Sequence, residues 1–414
     1  MNTSPPLVAA LSISVLLLSA CASPAGSPAP AASPHREPSP SVREQASAST
    51  RLAVTHEDGL TVLDAATLES LAEIPMEGFL RLSDAGDGRH LAVSGAGGFR
   101  MLDTGSWSEK HGDHAHHYTA EPVLTGGLLE AGKPGHVVAG AGRTAFFDDA
   151  SGQVNLVEAG RLGARELGAG QVQLPEAHHG VAVPIDGDSL IVSLGTADGR
   201  TGAAVLDGTG DEILRSDECP GLHGEAGAAG AIVFGCDDGM LVYRDGSFRK
   251  VASPDGYGRM GNQAGSPASP VVLADYKTDP GATLERPETV ALVDTAAGGL
   301  RLVNLGTSYT FRSLGRGAAG EAVVLGTDGA LHVIDPVSGT VVSRIQAIDP
   351  WEEPADWQQP RPALHIADGT AYVTDPVGSR VLAVDLGSGE VVRTAALAAV
   401  PNEISSPRES GPAQ

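Results

Sequence analysis

The segment GALHVIDPVSGTVVSRI (Gly329–Ile345) decides the fold. Apolar residues alternate with other residues before and after its central Asp-Pro-Val-Ser-Gly stretch, the period of two that a half-buried strand requires. The Ser-Gly pair supplies the positive φ that a tight turn needs. The segment therefore predicts two antiparallel strands joined by a short turn.

The same pattern recurs from Arg51 to about Val400. Clear copies are DGLTVLDAATLESLAEI (58–74), RTAFFDDASGQVNLV (143–157) and SRVLAVDLGSGEVVRTA (379–395). One marker position recurs at the end of a strand, at Asp64, Asp103, Asp149, Asp207, Asp245, Asn304, Asp335 and Asp385. The mean spacing of about 46 residues is close to the blade length of β-propellers, in which stacked blades bury both faces of each sheet. We predict an all-β fold with a single β-propeller over residues 49–402 and seven or eight blades, of which eight is favoured; two β-sandwiches are the alternative.

The N-terminal 20 residues are typical of a signal peptide. The apolar run from Leu7 to Ala20 has 14 residues and is too short to span a bilayer. It ends at Leu-Ser-Ala-Cys21, which resembles the lipobox of bacterial lipoproteins, so we expect acylation of Cys21 and a chain lipid-anchored to the outer face of the cell membrane. A plain secretory signal is the alternative, and both imply export. Residues 21–48 are rich in Ser, Pro and Ala and predict a disordered tether, and residues 403–414 a disordered tail.

Charge and cysteine content narrow the function. The chain has 51 acidic and 27 basic residues, a net charge of −24, which argues against nucleic acid as a partner and raises the local concentration of cations. Apart from Cys21, the cysteines are Cys219 and Cys236, which flank an apolar, strand-like stretch. Because export permits disulfides, we expect these two to form one; metal binding by the pair is the alternative.

The densest group of metal-ligating residues is KHGDHAHHY (110–118). It holds four imidazoles and one carboxylate, ligand types that suit Zn²⁺. Gly112 and the lack of an apolar period predict a flexible loop. The candidate ligands are His111, Asp113, His114, His116 and His117; a solvated polar loop is the alternative.

Other histidines share a position in the repeat. His90, His136, His179 and His365 lie at or just before a predicted first strand, and His223 lies in the connection leading to one. The first strands of a propeller line its central channel, so residues at their starts converge at one mouth of it. We expect His136, His179, His223 and His365 to supply a tetrahedral metal site there, with Glu225 as a ligand or as an acceptor for an imidazole N–H. The alternative for each is a structural histidine satisfied by the backbone.

Several separated motifs resemble the AztD-type zinc metallochaperones that serve ABC-type zinc importers. The motifs are HGDHAHHY (111–118), PGHVV (134–138), HHGVAVP (178–184), LHGEA (222–226), FGCDDG (234–239) and AYVTDP (371–376). The resemblance implies a β-propeller, a mobile His-rich loop, a zinc site in the domain and direct transfer to the solute-binding protein of the importer. This chain departs from the family pattern at Gly140 and His117.

We therefore expect an extracytoplasmic metallochaperone that captures Zn²⁺ and transfers it to the solute-binding protein of an ABC zinc importer. We expect a monomer and no enzymatic activity. A zinc-dependent propeller lyase or hydrolase is one alternative, although the sequence has no HExxH motif, nucleophile elbow or phosphate loop. A metal-free interaction scaffold is the other, and Cu²⁺ and Ni²⁺ also bind imidazole well.

Overall fold

A computed structural model describes residues 41–408 of the chain. The expected signal peptide over residues 1–20, the lipidation at Cys21 and most of the expected tether lie outside the described residues. Within residues 41–408, no helix is long and apolar enough to cross a bilayer.

Thirty-five strands and one short 3-10 helix (Ala159–Arg161) make up the regular structure of this part of the chain. The strands of the first half are β1 (Arg43–Gln45), β2 (Arg51–His56), β3 (Gly59–Asp64), β4 (Ser70–Pro75), β5 (Arg81–Asp84), β6 (His90–Gly95), β7 (Gly98–Asp103), β8 (Ser106–His111), β9 (His114–Thr119), β10 (Val123–Glu130), β11 (Pro134–Gly140), β12 (Arg143–Asp148), β13 (Gln153–Glu158), β14 (Gly170–Gln173), β15 (Ala182–Pro184), β16 (Leu190–Thr196), β17 (Gly199–Leu206) and β18 (Glu212–Ser216). Those of the second half are β19 (His223–Ala228), β20 (Ala231–Cys236), β21 (Gly239–Arg244), β22 (Ser247–Ala252), β23 (Gln263–Ser266), β24 (Ser269–Asp275), β25 (Thr289–Asp294), β26 (Gly299–Asn304), β27 (Leu314–Arg316), β28 (Ala322–Leu325), β29 (Ala330–Ile334), β30 (Val341–Gln346), β31 (Leu364–Ala367), β32 (Thr370–Asp375), β33 (Arg380–Asp385), β34 (Glu390–Ala396) and β35 (Ile404–Ser405).

The described residues form eight antiparallel sheets of four strands each, which are the blades of the propeller. Blade 1 has the order β35-β2-β3-β4 and blade 2 the order β5-β6-β7-β10; blades 3 to 8 each use four consecutive strands from β11 to β34. The prediction of an all-β propeller is thereby confirmed.

Inner strands of the blades line a central channel of about 590 Å³. Its wall takes residues from seven inner strands, from β5 to β31, and from Arg408 just after β35. All inner strands run in the same direction, because every blade repeats the same antiparallel order. We call the face where the inner strands begin the top face, and the opposite face the bottom face.

Middle strands are buried on both sides because each blade packs between two others. β29 is buried at every position, whereas most of the outermost strand β34 is exposed. The marker aspartates close the turns that follow: Asp335 Oδ1 accepts hydrogen bonds from the backbone N–H of Val337 at 3.1 Å and of Ser338 at 2.6 Å.

Residues 403–408 close the ring, which differs from the disordered tail expected over residues 403–414; residues 409–414 of that tail lie outside the described residues. Ile404 pairs with Val54 and Ser405 with Ala53, so β35 is the innermost strand of blade 1. Glu403 is buried and forms ion pairs of 3.1 Å with Arg312 and Arg81. A strand of two residues is too short to show a period in the sequence.

The His-rich segment is a β-hairpin, which differs from the flexible loop that the sequence predicts. Strands β8 and β9 are inserted between β7 and β10 of blade 2, and Gly112 takes a φ of 64° in the turn between them. Because β7 ends at the bottom face, the hairpin lies on that face. Both faces of the hairpin carry polar residues, so the sequence lacks the apolar alternation that would have predicted these two strands. Its base is held to blade 2 by the Arg89 guanidinium, 3.7 Å from the centroid of the Trp107 ring.

Candidate metal centres

Three consecutive blades bring His136, His179 and His223 together at the top face. His136 lies near the start of β11, His179 just before β15, and His223 is the first residue of β19. One ring nitrogen of each lies within 4.8 Å of the others. We call this group the channel cluster.

Hydrogen bonds fix which nitrogen carries the lone pair in two of these rings. His223 Nδ1 is 2.6 Å from the carbonyl oxygen of Gly261, which can only accept, so Nδ1 is the donor. His179 Nδ1 is 2.6 Å from Oδ2 of Asp149, whose side chain is 3% exposed. In the neutral form of each ring, Nε2 therefore carries the lone pair, and the two Nε2 atoms lie 3.3 Å apart.

That separation matches a zinc site. With Zn–N bonds of about 2.0–2.1 Å, two nitrogens of a tetrahedral centre are about 3.3–3.4 Å apart. Two facing lone pairs repel unless a cation lies between them. Burial, followed by the nearby charge of His136, lowers the pKa of His223 to about 3, so its ring is neutral at physiological pH and can bind a metal.

Glu225 adds a carboxylate beside the cluster. Its Oε2 lies 3.3 Å from His136 Nδ1, is buried and has no hydrogen-bond partner. A buried carboxylate oxygen that accepts no hydrogen bond is costly, and a neighbouring cation would offset that cost. Gly224 precedes it with a φ of 68°, a backbone conformation that favours glycine at this β-bulge.

A disulfide braces the same blade. Cys219, in the connection before β19, is bonded to Cys236 at the end of β20, and both are buried. It thus ties the connection that enters His223 to the neighbouring strand of the sheet.

A second group of three histidines lies on the inserted hairpin. His111 pairs with His114, and Glu109 with His116, so all three rings project from one face of the two strands. One nitrogen of each lies within 4.8 Å of the others, and Nε2 of His114 and Nε2 of His116 are 3.2 Å apart. This hairpin cluster is exposed to solvent, with 56% exposure for the side chain of His114 and 38% for that of His116.

The remaining candidates lie outside both clusters. His117 projects from the opposite face of the hairpin, where its Nδ1 is 2.8 Å from Ser108 Oγ. Asp113 is fully exposed and lies 3.3 Å from His114 Nδ1. His365 does lie on an inner strand, but on β31 of blade 8, where it is buried with Nε2 2.7 Å from Ser406 Oγ. His90 begins β6, the second strand of blade 2, and bonds to Asp87.

The sequence patterns did not identify two residues that lie beside the clusters. Asp149, which orients His179, was taken for a turn marker, and Glu44, 2.7 Å from His116 Nδ1, falls in the expected tether. The departure at Gly140 also has a structural reason, because a Cβ there would lie 2.3 Å from the carbonyl oxygen of Pro184.

No family model matches the chain. The chain is 28% identical over 342 residues to the zinc chaperone AztD of Citrobacter koseri, covering 80% of this chain and 79% of that protein. The crystal structure of Citrobacter koseri AztD superposes with a TM-score of 0.78 at 26% identity over 87% of this chain and 98% of that one, and the apo structure with a TM-score of 0.76 at 25% identity over the same shares. A dihydro-heme d1 dehydrogenase, NirN, shares only the fold, with a TM-score of 0.57 at 12% identity over 86% of this chain and 74% of that one. The resemblance indicated by the sequence motifs is therefore confirmed: this chain is related to the zinc chaperone AztD in sequence and in fold.

Proposed function

We propose that the chain is an extracytoplasmic zinc metallochaperone that captures Zn²⁺ and transfers it to the solute-binding protein of an ABC zinc importer. The observation that carries the proposal is the close approach of the Nε2 atoms of His179 and His223, 3.3 Å apart beside His136. The relationship to a protein named a zinc chaperone supports the same reading.

The two clusters suit different parts of this task. The channel cluster is partly buried, with acceptors behind two of its rings and the Glu225 carboxylate beside it, so we expect it to hold Zn²⁺ more tightly. The hairpin cluster is exposed, so metal can enter and leave it easily. The net charge of −24 favours the approach of cations.

Transfer needs only ligand exchange. A centre with three protein nitrogens keeps a position that an incoming ligand of a partner can occupy. Each new bond to the partner then replaces one imidazole bond, so zinc passes without being released as a free ion. No covalent bond of a substrate is broken, and we propose no enzymatic activity.

Attachment to the membrane belongs to the same proposal. The lipobox-like sequence at Cys21 and the Ser, Pro and Ala content of the residues after it support a lipid anchor with a tether. A carrier held in this way, as a monomer, would remain near an importer in the same membrane.

The test is metal analysis of the full-length chain, followed by zinc titration against a competing chelator. We expect up to two bound Zn²⁺ per chain, and much weaker binding at one of them in His179→Ala or His223→Ala. His365→Ala is the matched control, because His365 lies on an inner strand outside the cluster. The proposal would be overturned if the chain held no zinc and did not compete with the chelator for zinc. It would also be overturned if zinc reached the solute-binding protein only as a free ion, so that a chelator of free zinc stopped the transfer.

A further inference from the structure

The segment that precedes the propeller is part of the hairpin sheet. Strand β1 pairs with β9 through Arg43 with Thr119, Glu44 with Tyr118 and Gln45 with His117. Gln45 Nε2 also donates a hydrogen bond of 2.8 Å to Thr119 Oγ1. The sheet therefore has three strands, of which one comes from residues that the sequence assigns to the tether.

The register places Glu44 on the same face as the hairpin cluster. Tyr118, the direct partner of Glu44, is two residues from His116, so both side chains project from one face of β9. Oε1 of Glu44 lies 2.7 Å from His116 Nδ1. A carboxylate accepts, so Nδ1 of His116 donates the proton, and in the neutral ring Nε2 carries the lone pair, 3.2 Å from His114 Nε2.

We propose that Glu44 is a positioning residue of the hairpin metal site, and that zinc binding there fastens the segment before the propeller onto the hairpin. This inference rests on the proposed function, because it requires the hairpin cluster to bind zinc. A carboxylate behind a metal-ligating imidazole fixes its tautomer and orientation and raises its basicity, and loss of such a group costs about 10- to 100-fold in metal affinity.

The coupling acts in both directions. If docking of β1 raises zinc affinity by some factor, zinc raises the stability of the docked strand by the same factor. Strand β1 has three residues, all exposed, so few contacts hold it without the metal. Occupancy of the hairpin cluster thus decides how firmly this segment is attached.

The first measurement isolates the hairpin site in a full-length His179→Ala/His223→Ala variant. We expect Glu44→Gln to weaken zinc binding at the hairpin about tenfold, at the lower end of the range for such partners because the site is exposed. Gln45→Ala is the matched control: it removes a side chain from the same strand on the opposite face, together with its hydrogen bond to Thr119, and we expect a smaller loss of affinity than in Glu44→Gln.

The second measurement follows trypsin cleavage after Arg43, with and without zinc. We expect zinc to slow this cleavage in the otherwise wild-type chain but not in Glu44→Gln or His114→Ala/His116→Ala. The inference is wrong if the hairpin binds zinc, Glu44→Gln leaves its zinc affinity unchanged, and zinc does not change the rate of cleavage after Arg43. The proposed function would stand in that case. If the hairpin binds no zinc at all, the role proposed for the hairpin fails first, and the inference fails with it.

Discussion

Replacing Asp149 with Asn tests whether the residue behind a ligand controls the channel cluster. Asp149 Oδ2 accepts from His179 Nδ1 at 2.6 Å, and its side chain is 3% exposed. Its other contacts are the backbone N–H of Gly180 at 3.3 Å and the Lys133 ammonium at 3.8 Å. The substitution leaves the shape but removes the charge, and an amide NH₂ turned towards Nδ1 would favour the tautomer with its proton on Nε2.

The expected loss follows from this hydrogen bond. A hydrogen bond to a charged group contributes about 1.5–3 kcal/mol, which corresponds to roughly 10- to 150-fold in an equilibrium constant. Measured losses for carboxylates behind metal-bound histidines are about 10- to 100-fold. We therefore expect Asp149→Asn to raise the Kd for zinc at the channel cluster by about 10- to 100-fold.

Competition with a chromophoric chelator at fixed pH measures this Kd, in a variant whose hairpin histidines are replaced by alanine. Asp148→Asn is the control, since the neighbouring carboxylate bonds to the backbone N–H of Lys133 at 2.8 Å and to Ser151 Oγ at 2.7 Å and does not reach a histidine. It changes the net charge equally. An unchanged Kd in Asp149→Asn, or an equal rise in Asp148→Asn, would refute the reasoning.

Three further predictions concern separate parts of the molecule. Alanine at all three positions of the hairpin cluster should lower bound zinc, measured by elemental analysis, by one per chain, whereas His117→Ala should leave the count unchanged because its ring lies on the other face. Burial lowers the pKa of His365 to about 3, so between pH 6.5 and pH 3 the unfolded chain binds a proton that the folded chain does not, and stability falls as the pH falls. Chemical denaturation at pH 8 and pH 5 should therefore show an acid loss about 2 kcal/mol smaller in His365→Gln than in wild type; equal losses would contradict this. Replacing both disulfide cysteines by alanine should lower the free energy of unfolding by about 3 kcal/mol, given their separation of 17 residues, and a Tm unchanged in a thermal melt would count against it.

The repeat predicted the number of blades correctly, although two of its marker residues lie at the end of a different strand from the others. Six marker residues end the third strand of their blades or directly follow it, as Asp335 follows β29. Asp149 instead follows the second strand of blade 3, and Asn304 ends the fourth strand of blade 6. Each blade still contains one marker, so the count of eight survives both errors.

The sequence predicts that histidines converge at the mouth of the channel, but it does not identify which histidines form the cluster. Residues at the starts of inner strands do converge, and His136, His179 and His223 meet because their blades are neighbours. His365 satisfies the same sequence criterion, but blade 8 is not adjacent to blades 3 to 5. Identifying the set needs the order of blades around the ring, and Glu44 needs the pairing of a three-residue strand, which no local pattern reveals.

The closure of the ring has a consequence for how the chain is made. A polypeptide leaves a ribosome or a translocation pore with its N-terminus first, and blade 1 begins at Arg51, whereas its innermost strand is β35. Blade 1 therefore remains a three-stranded sheet with an open inner edge until residues 404–405 emerge. The buried ion pair between Glu403 and Arg312 cannot form before Glu403 emerges. Synthesis and the final folding step are coupled in time: only a chain that has been made as far as Ser405 can close the ring.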